Sequence, residues 1–140
     1  MSRDARAALL ASIAVIAVVV LGFTLLGSPG TQRLIRSDER TVRSLAELAQ
    51  EIQNKSRISN NELPANLDSF DEKEKQDPLT HKPFIYRPKS KTAYELCATF
   101  LTDNLHQDPG ERDDPWRHPK GDFCFSLDTT QPFRPAPYYF

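Results

Sequence analysis

Two cysteines, three histidines and a crowded set of carboxylates are the residues of this 140-residue chain whose types could carry chemistry. Cys97 lies in Ala93–Leu101 and Cys124 in Asp122–Asp128, two stretches in which apolar and polar residues alternate with the period of a strand. In the first, Tyr94, Leu96, Ala98 and Phe100 face one way and Glu95, Cys97 and Thr99 the other; in the second, Phe123, Phe125 and Leu127 alternate with Cys124 and Ser126. If the strands are antiparallel neighbours, both thiols emerge on the polar face within bonding distance. Closing that loop would contribute on the order of 3 kcal/mol. The expectation is a Cys97–Cys124 disulfide, and disulfides persist outside the reducing cytoplasm.

The remaining candidates point away from catalysis. His81, His106 and His118 are scattered over loops with no i,i+4 pair, so a zinc site would need all three to converge. The oxygen-rich loop of Asp103, Asp108, Glu111, Asp113 and Asp114 offers ligands of the type calcium takes, but not at EF-hand spacing. There is no Gly-x-Ser-x-Gly, phosphate loop, dinucleotide fingerprint or His-Glu-x-x-His. The expectation is a chain that is not an enzyme, with no catalytic residues, no cofactor and no metal. A net charge of −1 without a basic stripe argues against nucleic acid.

Aromatic residues are the stronger interaction candidates. Trp116, the single tryptophan, is either a partner hot spot or a plug that packs its long loop onto the sheet. The tail holds Phe133 and ends on Tyr138, Tyr139 and Phe140, which free in water would be a liability. It must fold back or dock on a partner. Trp116, Phe133, Tyr138, Tyr139 and Phe140 are therefore the candidate partner-binding residues.

The elements that hold these residues begin with an anchor. Residues 7–27, after a short flank of residues 1–6, carry no charge, and roughly 20 such residues cross the hydrocarbon core as a helix. The run exceeds a signal-peptide apolar core, and no Ala-x-Ala site follows, so an uncleaved single-pass anchor is expected. Arg3 and Arg6 precede it, whereas Arg33, Arg36, Arg40 and Arg43 follow. A count of positive charges would keep the C-terminal part in the cytoplasm, but long domains translocate largely regardless of such counts. The cysteine pair decides for an N-terminus in the cytoplasm and an exported domain.

Gly27-Ser28-Pro29-Gly30 stops the first helix. From Thr31 to about Lys55, Leu34, Ile35, Val42, Leu45, Leu48, Ala49 and Ile52 recur at helical steps and form one apolar stripe. Leu67 and Phe70 are placed to fold back as apolar anchors, and Phe84–Arg87 reads as a short strand after a turn-rich approach. Residues 31–128 then make one α+β domain: an amphipathic helix on a small antiparallel sheet of about three strands. The Pro- and aromatic-rich residues 129–140 form an extended tail.

Several short signatures have a family resemblance. Leu63-Pro64-x-x-Leu67-x-x-Phe70, then Asp77-Pro78-x-Thr80-x-x-Pro83-Phe84-x-Tyr86, then Asp114-Pro115-Trp116, resembles the head of type II secretion major pseudopilins. Tyr94–Phe100, with Trp116-x-His118-x-x-Gly121-x-x-Cys124-Phe125, is similar to a group of bacterial single-span membrane proteins. The resemblance covers roughly residues 38–126. It implies a long helix packed on a small antiparallel sheet, and a bacterial source. A prepilin carries its cleavage motif before the apolar helix; here the similar Gly22-Phe23-Thr24-Leu25-Leu26 lies at its far end.

The functional expectation is a non-enzymatic accessory or structural subunit of a larger bacterial membrane complex. It would sit in the inner membrane by one span, with its domain on the periplasmic face. Its partners would be the lipid bilayer and an integral membrane assembly of energy-transducing, reaction-centre or secretion type. The alternative is a pseudopilin-class component of a secretion or pilus machine.

Overall fold

A computed structural model of the chain describes residues 3–26, 28–105 and 114–136. Helices α1 (Arg3–Leu26) and α2 (Pro29–Ile58) are followed by strands β1 (Ile85–Pro88), β2 (Ala93–Phe100) and β3 (Gly121–Asp128). The architecture is α+β. The chain divides into two compact units, Met1–Arg33 and Leu34–Phe140.

In the first unit, the 20 residues Asp4–Phe23 form a helix long and apolar enough to cross a membrane. Its side chains are exposed around the whole circumference: Leu10 is 67% and Val18 71% exposed. Such a surface is stable only against another apolar phase.

The start and end of α2 follow from local chemistry. Ser28 caps it, its Oγ accepting from the Thr31 N–H at 3.2 Å, and Pro29 takes the first helical position, where no N–H is needed. The helix ends where Asn60 and Asn61 adopt left-handed backbone (φ 54° and 63°), and the Asn61 N–H closes on the Ser56 carbonyl at 2.8 Å. It therefore extends further at each end than the expected 31–55.

The second unit is built on one face of the sheet. The order is β1-β2-β3, both pairs antiparallel, with β2 central. Val42, Leu45, Leu48, Ala49 and Ile52 of α2 join the same core as Tyr94, Leu96, Phe100 and Phe125 of the sheet. Leu45, Leu48, Ile52 and Leu96 are fully enclosed. Phe70 and Phe84 close the core from the intervening loop, with Leu63 and Leu67 packed against it. The apolar stripe begins later than its sequence period implied. Leu34 is 43% exposed and Ile35 half-buried, so the first turns of α2 stay outside the core.

Polar residues continue the stripe at both ends. Asp38 is buried and accepts from the Leu101 N–H at 2.9 Å and from the Thr102 N–H and hydroxyl, each at 2.6 Å. Thr41 donates to Asp77, whose other oxygen accepts from the backbone of Leu79 and Thr80. These bonds hold the Asp77 carboxyl below its ordinary range although burial pushes it upward. The Tyr94 hydroxyl donates to the Ala49 carbonyl at 3.4 Å, and burial raises the Tyr94 pKa. Lys55 donates to the Ser69 carbonyl at 2.6 Å, its ammonium 3.7 Å from the centroid of Phe70.

Leu48→Ala is expected to cost about 2–5 kcal/mol, the usual loss for an enclosed leucine, whereas Leu34→Ala should stay within about 0.5 kcal/mol. Urea unfolding of the detergent-solubilised chain, followed by tryptophan fluorescence, measures both. Equal effects at the two positions would contradict this placement of the core.

Candidate functional site

The cysteines occupy the outer face of the sheet, opposite the helix. In the β2–β3 register Cys97 is directly across from Cys124, with Glu95 opposite Ser126 and Thr99 opposite Asp122. The two cysteines form a disulfide with their Cα atoms 3.9 Å apart. The bond closes a loop of sequence separation 27, for which chain entropy gives about 3–4 kcal/mol of stabilisation. Polar pairs surround it: the Thr99 hydroxyl donates to Asp122 at 2.6 Å, and Lys89 pairs with Glu95 at 3.2 Å. The Glu95 carboxylate lies close to both sulfurs. With both sulfurs committed to each other, neither is a thiolate available to a metal.

On the core face, the end of β2 and the segment before β3 build an aromatic cluster. Trp116 is 1% exposed, with its ring centroid 5.1 Å from that of Phe125. The imidazole of His118 stacks on Phe100 at 3.7 Å between centroids, tilted by 18°. Asn104 organises this segment: its Oδ1 accepts from the His118 N–H at 2.7 Å and its Nδ2 donates to the Trp116 carbonyl at 3.3 Å. The Asp114 carboxylate accepts from the Trp116 N–H at 2.9 Å, an Asx turn that aims the indole inward. The His118 Nδ1 contacts the Pro119 carbonyl at 3.3 Å; since a carbonyl only accepts, Nδ1 carries the proton. Burial lowers the His118 pKa from 6.5, outweighing that contact and the charges of Asp38, Asp103 and Asp114, which push it up.

Of the two readings of Trp116, the geometry is that of the plug. The side chain is enclosed within its own domain. Its Nε1 donates to the Arg134 carbonyl at 2.9 Å and so pins the tail. Phe133 and Ala136 pack against the core, so the tail folds back as far as residue 136. Tyr138, Tyr139 and Phe140 lie outside the described residues, as do His106, Asp108, Glu111 and Asp113. His81 sits exposed in left-handed backbone (φ 55°), whereas His118 is buried and stacked on Phe100. Among the described residues the histidines therefore do not converge.

Sequence patterning missed three residues of this region. Asp38 and Gln53 look like the solvated side of an amphipathic helix, and His118 looks like a loop residue. The one usable signal is position, since Asp38 and Gln53 fall on the same helical face as Leu45 and Ile52.

A cleft of about 460 Å³ lies between α2, the end of β3 and the tail. Gln53, Tyr94, Trp116, Asp128, Phe133 and Arg134 are among its lining residues. Compared with protein families, characterised proteins and solved structures, the chain gives no match to any of them.

The His118 environment has a defined pH signature. Its pKa in the folded state lies below 6.5, so the unfolded chain binds the proton more readily and protonation favours unfolding. The stabilising effect of neutral His118 is complete above pH 6.5 and is lost as pH falls below 6.5 toward the depressed value. His118→Gln should therefore flatten the decline in thermal stability from pH 6.5 downward; an unchanged decline would contradict the assignment.

Proposed function

We propose that the chain is a non-enzymatic, single-span accessory or structural subunit of a larger bacterial membrane assembly, with its disulfide-bonded head on the periplasmic face. The observation that carries this reading is the combination of an exposed, uncharged helix at Asp4–Phe23 with the Cys97–Cys124 bond in the following domain. A lipid-exposed helix ties the chain to a bilayer. The oxidised pair favours the side away from the cytoplasmic thiol pool. The outer face of the sheet is polar and shows no buried acid–base pair, and among the described residues the buried Asp38, Asp77 and His118 side chains are engaged with their own domain. That distribution suits a scaffold better than a catalyst. The assembly would be of energy-transducing, reaction-centre or secretion type, since these recruit single-span proteins of this size.

A pseudopilin-class component is the second reading. It is favoured by a 30-residue helix laid on a three-stranded antiparallel sheet, the head architecture that the Leu63–Tyr86 signatures imply. Against it stands the interruption at Ser28-Pro29, where a fresh helix cap replaces the continuous helix that filament packing requires.

Mild-detergent extraction of the tagged chain from its native membrane discriminates the two readings. An accessory subunit co-purifies at fixed stoichiometry with integral membrane polypeptides and keeps residues 1–6. Recovery of the chain alone would contradict that role, and a processed N-terminus would shift the assignment to the pseudopilin class.

A further inference from the structure

In the linear sequence Arg36, Arg40 and Arg43 are interleaved with Asp38 and Glu39, and no basic stripe shows. The helix sorts them. Arg36, Arg40 and Arg43 stand at i, i+4 and i+7 and so share one face of α2, opposite the core face of Val42, Leu45, Ala49 and Ile52. Asp38 turns the other way, buried on the core side where the Leu101 and Thr102 N–H groups donate to it. A segment of mixed charge in sequence is thus a cationic face in the folded helix.

All three arginines are exposed. Neither Arg36 nor Arg40 makes an ion pair among the described residues. Glu39 borders the stripe; burial pushes its carboxyl above the ordinary range, against the pull of Arg36 and Arg43. One acid against three arginines leaves the face positive. A turn past Arg43 the same face carries Glu47, so the positive stretch is confined to the early turns of α2, the part of the head that follows the apolar helix most closely in the chain.

Guanidinium groups stay charged and pair with phosphate through parallel N–H donors. A span at Asp4–Phe23 would keep such a stripe beside a surface of phosphates, at high effective concentration. Leu34, exposed in the same turns, falls on the far side of the helix, so the contact this face allows is electrostatic and not apolar insertion.

We propose that Arg36, Arg40 and Arg43 form a docking stripe for the anionic phospholipid headgroups of the bilayer that holds the apolar helix. The proposal rests on the single-span reading and is independent of which assembly the chain joins. Docking holds the head against the bilayer by charge, and salt or neutral lipid releases it.

The test uses the full chain in vesicles of phosphatidylcholine alone or with about a third phosphatidylglycerol, both doped with a headgroup-spin-labelled lipid. A bimane on Glu47→Cys, attached after the Cys97–Cys124 bond has formed, reports by its quenching how near the stripe lies to the headgroups. Quenching at least about threefold stronger with phosphatidylglycerol is expected, returning to the phosphatidylcholine value in high salt and in the triple variant Arg36→Gln, Arg40→Gln, Arg43→Gln. Arg57→Gln, which removes a charge from the last turn of α2, should keep the full effect. If the triple variant fails to fold, judged by circular dichroism and disulfide state, the salt titration of the chain with its arginines intact decides alone. Retention on the vesicles after carbonate washing reports the span separately. Loss at that step would contradict the single-span reading and the stripe with it. Retention with quenching indifferent to phosphatidylglycerol or to salt, or unchanged in a folded triple variant, would overturn the stripe alone.

Discussion

The covalent link between Cys97 and Cys124 is the constraint from which the rest of the head follows. It joins two residues that face each other across neighbouring strands, so it fixes the β2–β3 register. A slip of one residue would turn every side chain of a strand to the opposite face. With the register set, Tyr94, Leu96 and Phe100 of β2 and Phe125 of β3 are delivered to the same side, where the α2 stripe covers them. The same bond underlies the proposed exported placement, because disulfides persist chiefly in oxidising compartments.

The core under that sheet is small, and its edges are closed by polar latches instead of further apolar bulk. Asp38 holds the end of β2, Thr41 holds the Asp77 turn, and Gln53 holds the exit of β3 into the tail. A buried carboxylate is tolerable only when its lone pairs are satisfied, and Asp38 receives three donors. These latches make α2 a spine to which each of the later segments is tied. Trp116, Phe125, Phe100 and His118 add an aromatic layer to the core. Through the indole N–H it reaches the tail.

What could be read from the residues was whatever depends on local period. The uncharged run of α1, the alternation in β2 and β3, the helical stripe of α2 and the placement of both cysteines on the polar faces all appear in the structure. The bounds moved by a few residues where capping chemistry decides them, as at Ser28-Pro29 and Asn60-Asn61. Long-range polar pairing was not legible. Nothing near Asp38 announces that its donors lie at Leu101 and Thr102, 63 and 64 residues away. Trp116 was ambiguous for a related reason: an exposed anchor and a buried plug have the same sequence, and only the Arg134 carbonyl beside its indole separates them.

The proposed placement, a membrane span with the disulfide-bonded domain on the exported side, rests on the apolar helix Asp4–Phe23 and the cysteine pair. The redox state of the cysteine pair in living cells tests that most directly. Cells would be quenched in acid and the denatured chain treated with a mass-tagged maleimide before and after reduction. An exported head predicts no tag before reduction and two afterward. Two tags on the unreduced chain would mean free thiols in the cell, and would contradict both the periplasmic placement and the bond on which the fold is built.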